Sequence, residues 1–370
     1  MTVGFESPLP PARTGIADYS AALLGALRRR GRVEVTPKRA DVRLYHLGNN
    51  QLHRKIYQRA IERPGIVVLH DAVLNHFCLG SLDEGAYVDE FVYNYGEWRR
   101  DLARDLWQNR ACSAFHERYY AYPMLRRIAE SALAVIVHNP AAARIVRQHA
   151  PAAHVIEIPH LLAPPPAAHA ADAIHFRNQL GLTPRHFLFG VFGYLRESKR
   201  IMNILRAFAV IRRELPQTRL LVCGEFTSPD LARAAEPLIR QQPGIIRLKY
   251  LPESDFWLAA SACDAGINLR YPAAGETSGI AIRLMGLGKA VMVTDAEESA
   301  RHPATACFRI AHGVAEGASL MEHSRVAALL PLTTREIGRR AAGHVQSFHS
   351  LDRVADMYWE TLCAYGNSSH

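Results

Sequence analysis

Anion chemistry is written most plainly at residues 192–200 (FGYLRESKR), where Gly193 closes an apolar run and Arg196 and Lys199 follow. A glycine lets the backbone turn sharply and admits a bulky anion. The start of a following helix offers unpaired N–H groups and the positive end of the helix dipole. Arg196 and Lys199 would add full positive charge for a diphosphate. Lysine is scarce in this chain, 5 residues against 39 arginines, so a lysine here stands out. The plainer alternative is a basic, solvated loop.

A second cluster is Gly275, Glu276, Thr277, Ser278 and Gly279, small residues opening a helix. Ser278 and Gly279 could offer backbone N–H groups to phosphate. A carboxylate at Glu276 suits sugar hydroxyls, because it accepts from two at once. Its simpler role is a charge beside the helix dipole. His70 and Asp71 end the apolar run 66–69. A lone histidine is more often structural than functional, but a strand end is where an open α/β sheet meets its ligand. Thr14 and Gly15 precede a helix whose first turn carries Asp18 and Tyr19, and Asn139–Pro140 opens another. Capping accounts for both.

The elements that must position these groups alternate. Strands are expected at 2–5, 41–47, 65–69, 133–137 and 155–158, with a helix at 16–30 and a long helical stretch from about 83 to 130. After three prolines in the segment 161–172, a linker, a second series has strands at 187–192, 219–223, 245–248, 265–269 and 290–294. Its helices are expected at 199–214, 228–241, 254–262 and 279–286, with a helical tail from 315 to about 365. This pattern predicts α/β architecture: two doubly wound Rossmann-like domains across a cleft, with ligands beyond the carboxyl ends of the strands. The expected domains are 1–163, joined by the C-terminal helix 350–365, and 164–349.

The whole chain is 370 residues, 49% hydrophobic and 21% charged, which excludes disordered and fibrous classes. Its formal net charge of +9 is spread evenly, +5 over residues 1–163 (21 basic, 16 acidic) and +4 over 164–370 (23 basic, 19 acidic). That spread argues against a nucleic-acid partner. Six cysteines lack zinc spacing and read as reduced thiols. Neither a secretory signal nor a membrane-spanning stretch is expected, so the expected location is cytoplasmic, with weak peripheral contact at the inner face of a membrane.

Together these segments resemble the family 4 retaining glycosyltransferases of GT-B fold, over nearly the whole chain. The stretch 8–24 (PLPPARTGIADYSAALL) resembles the family's first strand–loop–helix, placing Gly15 on the donor side. VVLHD (67–71) resembles its strand-end histidine against the donor sugar. FGYLRESKR resembles its phosphate loop, and 263–293 its donor signature. The resemblance implies His70, Lys199 and Glu276 as catalytic residues. It implies donor binding by Gly15, Gly193, Arg196, Lys199, Glu276, Thr277, Ser278 and Gly279. It departs from the family at Arg283, where a second glutamate contacts ribose, and at Tyr194, where an arginine follows the glycine. Arg283 cannot accept a hydroxyl proton.

The implied reaction moves a sugar from a nucleoside-diphosphate sugar to a hydroxyl of a glycan or lipid-linked acceptor. No cofactor and no metal are expected, and the sequence holds no D-x-D motif. The leaving diphosphate would take the acceptor proton. Two other readings remain: a catalytically degenerate nucleotide-binding scaffold, and a nucleotide-sugar epimerase on the same fold. Lys199→Ala is expected to lower turnover with little effect on folding, as a loop lysine packs little.

Overall fold

A computed structural model describes residues 1–12, 14–165 and 170–366. The chain divides into two compact units. The first is Met1–Ala163 with Pro272–Thr277 and the chain from Phe348 onward; the second is Pro164–Tyr271 with Ser278–Ser347.

The first unit is built on β1 (Thr2–Glu6), β2 (Arg32–Val35), β3 (Val42–Leu47), β4 (Ile66–Leu69), β5 (Ala134–Val137) and β6 (Val155–Glu157). All neighbours pair in parallel, in the order β2-β1-β3-β4-β5-β6. Its central strands β4 and β5 are apolar and buried at every position because both faces are covered. Alternation divides them. Tyr45, Leu47, Val67, Leu69, Val135 and Val137 pack with Phe77, Tyr87 and Phe91 on one face. Leu44, Ile66, Val68, Ala134 and Ile136 pack with Leu23 and Leu27 of the helix Gly15–Arg28 on the other. Val354, Tyr358 and Leu362 of the helix Leu351–Gly366 join that second face.

The second unit is built on β7 (Phe187–Val191), β8 (Thr218–Cys223), β9 (Ile245–Leu248), β10 (Ala265–Asn268), β11 (Ala290–Thr294) and β12 (Phe308–Ile310). This sheet is also parallel, in the order β12-β11-β10-β7-β8-β9. Phe187, Phe189, Val191, Leu220 and Ile267 pack against Ile204, Phe208 and Leu320.

Both orders reverse direction once. In the second sheet the reversal lies between β7 and β10, in the first between β1 and β3. Beyond the carboxyl ends of the strands flanking such a reversal, loops leave in opposite directions and open a crevice. The residues after β7 and β10, and after β1 and β3, are therefore where topology alone places a ligand.

Four features differ from the sequence expectation. Strands β2 and β12 were not expected; both lie at sheet edges, and charged residues interrupt their apolar ones, Arg32 and Glu34 in β2 and Arg309 in β12. The stretch 83–130 is broken into the helices Glu84–Tyr95, Arg100–Gln108 and Arg126–Ser131, with the 3-10 turns Arg110–Cys112 and Glu117–Tyr119 in the segment before the last. Gly96, at φ +91°, ends the first of these. Lys199 does not begin a helix: it closes the single 3-10 turn Glu197–Lys199, and the helix Ile201–Glu214 follows. Of the expected linker, residues 166–169 lie outside the described residues, and the helix Ala170–Gln179 begins within it.

Candidate functional site

At the carboxyl edge of the first sheet, four histidines sit on one face. His46 lies near the end of β3, His70 follows β4, His138 follows β5 and His160 lies beyond β6. Each stands two residues after an apolar residue of the same core, Leu44, Val68, Ile136 and Ile158. Two-residue alternation therefore turns all four imidazoles to the side of the helix Gly15–Arg28. There they surround Tyr19, with ring centroids 6.0, 4.9, 5.5 and 4.8 Å from it in chain order. The Tyr19 hydroxyl lies 3.0 Å from that of Tyr358.

The His46 Nδ1 and His70 Nε2 atoms are 3.0 Å apart and share one hydrogen bond. His138 Nδ1 donates to the Ile158 carbonyl at 2.9 Å, and His53 Nδ1 to the His46 carbonyl at 2.9 Å. Burial pushes His53 and His138 down to about 4, and His46 and His70 well below the usual histidine range. His46, His53, His70 and His138 are therefore neutral at physiological pH. Burial also raises the Tyr19 and Tyr358 phenols, so both stay protonated.

Asp71, next to His70, accepts the Asn49 N–H at 2.8 Å. Asn49 follows β3 and also accepts the Phe77 N–H at 2.7 Å, which fixes the loop after that strand. Gly15 opens its helix with Thr14 as cap (Thr14 Oγ1 accepts the Ala17 N–H at 3.0 Å), and the space beside it is empty.

The loop 272–277 is held against this edge. The Ala72 and Val73 N–H groups both donate to the Ala274 carbonyl, at 2.8 and 2.9 Å. Asn139 Nδ2 donates to the Gly275 carbonyl at 2.9 Å and to Thr277 Oγ1 at 3.0 Å. Gly275 has φ +73°, and a Cβ there would stand 2.7 Å from that of Ala72, so only glycine fits. Glu276 rides on this loop, its Oε2 accepting the Ala274 N–H at 2.6 Å. By its contacts, the loop bearing Glu276 and Thr277 thus belongs with the unit that holds His70.

The carboxyl edge of the second sheet is different in kind. Gly193 turns at φ +81° just after β7. Lys199 is 7% exposed, its Nζ donates to the Phe192 carbonyl at 2.7 Å, and it lies 2.9 Å from where a Gly193 Cβ would stand. This corrects the picture of a loosely packed loop lysine: a buried ammonium bonded to main chain also supports the turn. The Arg196 side chain is exposed and makes no hydrogen bond to the described residues, while its carbonyl accepts the Lys199 N–H at 3.0 Å. Arg200, in the left-handed region at φ +59°, directs its guanidinium onto both Glu316 oxygens at 2.9 and 3.0 Å.

After β10, Ser278 caps the helix Gly279–Gly286, its Oγ accepting the Ala281 N–H at 3.3 Å. Arg270 Nη2 donates to the same Oγ at 3.3 Å, and the Arg270 N–H donates to Thr294 Oγ1 at 2.9 Å. Sequence reasoning passed over Arg270; its signal was its position, two residues past a strand flanking the reversal in strand order. Arg283, where the resemblance calls for a ribose-binding glutamate, pairs with Glu253 at 3.0 Å and lies over Phe256 and Trp257. The structure thus brings Gly193 together with Lys199, Ser278 and Gly279 together with Arg270, and His70 together with His46.

No family model matches the chain, and no curated protein matches its sequence. Solved structures do. A sucrose-phosphate synthase from Thermosynechococcus elongatus is 16% identical, over 98% of this chain and 99% of that one, with a TM-score of 0.68. Anabaena HepE, solved in complex with UDP-glucose, is 15% identical over 98% and 100% with a TM-score of 0.63. WaaG, a glycosyltransferase of lipopolysaccharide biosynthesis, is 13% identical over 96% and 99% with a TM-score of 0.61. These are GT-B glycosyltransferases, and two parallel sheets with flanking helices, here six-stranded, are the fold class expected from the sequence. Among the described residues, no helix is long and apolar enough to cross a membrane.

Proposed function

We propose that the chain is a retaining glycosyltransferase that moves a sugar from a nucleoside-diphosphate sugar to a hydroxyl of a glycan or lipid-linked acceptor. The observation that carries this is the strand-order reversal of the second sheet. Its flanking strands β7 and β10 lead into Gly193 with Lys199, and into Arg270 with the capped helix start at Ser278 and Gly279. Two cations, a glycine turn and a helix N-terminus suit a diphosphate. The UDP-glucose held by the structurally similar HepE supports that choice of donor class.

In this reading Lys199, Arg270 and Arg196 stabilise the charge that develops on the departing diphosphate, and no metal is required for it. The diphosphate takes the proton of the acceptor hydroxyl on the same face, which gives retention without a carboxylate nucleophile. Asp71 is given no covalent role in this reading; its Oδ2 accepts the Asn49 N–H and holds the loop after β3. His70 and Glu276 contact the sugar. The test is a panel of nucleotide sugars with release of nucleoside diphosphate as readout. Release from one donor, faster with a hydroxyl acceptor, is expected; no release from any donor would refute the reading.

A second reading rests on one observation. Arg283 is fixed to Glu253, so the ribose contact implied by the family is missing. A scaffold that binds nucleotide without turnover would then give a thermal shift but no release.

A further inference from the structure

The imidazole cluster at the carboxyl edge of the first sheet fixes more than the place of His70. We propose that His46 is a positioning residue that sets the tautomer of His70, so that His70 acts as a hydrogen-bond donor, through Nδ1, to a hydroxyl oxygen of the bound sugar. The identity of the ligand rests on the function proposed above; the tautomer does not.

A neutral imidazole carries one N–H, and where it sits follows from its neighbours. His53 Nδ1 and His138 Nδ1 each face a carbonyl oxygen, which only accepts, so both carry the proton there. Their Nε2 atoms are buried lone pairs with no partner among the described residues. His46 Nε2 is buried and without a partner too. The hydrogen bond between His46 Nδ1 and His70 Nε2 has two possible directions. If His70 donated, His46 would hold its proton on Nε2, a stranded N–H in a dry pocket.

Among the described residues no hydrogen-bond acceptor meets His46 Nε2. Stranded N–H groups are the rarer kind of unpaired group in protein interiors. His46 therefore donates from Nδ1, as His53 and His138 do, and His70 accepts at Nε2. The remaining proton of His70 sits on Nδ1. That atom has no hydrogen bond to the described residues, and His70 keeps 8% of its surface open.

Two consequences follow. His70 donates to an oxygen and cannot serve as the base for the acceptor hydroxyl. His46, which is fully buried, matters for activity without touching ligand.

The experiment is long-range nitrogen–proton NMR on the full chain labelled with ¹⁵N-histidine, with His70 assigned by loss of its signal in His70→Gln. The expected result is Nδ1 protonated and Nε2 deprotonated in His70; the opposite tautomer would overturn the proposal. His46→Asn keeps an N–H donor where Nδ1 stands, while His46→Leu removes it. His46→Leu should lower kcat roughly 10- to 100-fold, the scale on which outer-shell orienting partners act, and His46→Asn should restore most of it. Equal loss in both would also overturn the proposal. Should His46→Leu fail to fold, the wild-type and His46→Asn spectra decide. A correct tautomer in a protein that releases no diphosphate would instead count against the proposed function.

Discussion

The carboxyl edge of the first sheet is lined by imidazoles that burial keeps neutral, while that of the second carries an ammonium and guanidinium groups around a glycine turn. Neutral groups with fixed tautomers discriminate hydroxyl donors from acceptors and carry no charge penalty when dry. Fixed cations do little for hydroxyls and much for a diphosphate. Two sheets of the same size and strand direction thus present opposite chemistries at the same structural position. The fold supplies the position, and the residues just past each strand supply the chemistry.

The widest test of that contrast is Lys199. Lys199→Ala should lower turnover by about 10²- to 10³-fold, the usual loss on removing one group that stabilises developing charge. It should also cost about 1–3 kcal/mol of stability, because the Phe192 carbonyl loses its partner. Single-turnover rates and urea melts separate the two effects; wild-type turnover would break the cationic side of the comparison.

The neutral side is tested by acid. His53 and His138 titrate near 4 when folded and near 6.5 when unfolded. Between those values the unfolded chain binds more protons, so unfolding free energy falls as pH drops from 6.5 to 4. The expected slope is about 1.4 kcal/mol per pH unit for each histidine. Above pH 6.5 this contribution is fully present. Urea unfolding of the wild type and of His138→Phe across that range should differ in slope; equal slopes would contradict a dry, neutral cluster.

Asn139→Ala removes a helix cap, at Ala142, and two of the hydrogen bonds that hold the loop 272–277. A loss of about 3 kcal/mol is expected, with faster hydrogen exchange of residues 272–277. Gly275→Ala should cost about 1–3 kcal/mol, since its φ of +73° and its contact with Ala72 both oppose a side chain. If thermal melts show neither loss, the loop bearing Glu276 is not anchored as described. Arg196→Ala should have the smallest effect, below about fivefold on donor KM and shrinking with added salt, as befits an exposed charge.

What could be read from the sequence was local. Gly193 with Lys199, and Ser278 with Gly279, lie within a few residues of one another at strand ends, so composition and order exposed them. The histidine cluster was also present in the text, as an apolar residue two before each of His46, His70, His138 and His160. Only His70 was singled out, because each histidine alone looks structural and their convergence depends on strand register. The Asn139 clamp joins residues 136 and 138 positions apart, and Arg270 gains meaning only from the strand order. Long-range pairing, which periodicity does not encode, is the common cause of all these omissions.

The central claim is that the second sheet's carboxyl edge binds a nucleoside diphosphate. It is tested most directly by thermal shift of the full chain with UDP, GDP, ADP and TDP, with and without magnesium, in the wild type and in Lys199→Ala. The account predicts that one nucleotide stabilises the wild type, by about 2.7 kcal/mol at 100 times its Kd. It predicts the same shift without magnesium, and a much smaller one in Lys199→Ala. No shift with any diphosphate, or an equal shift in folded Lys199→Ala, would contradict it.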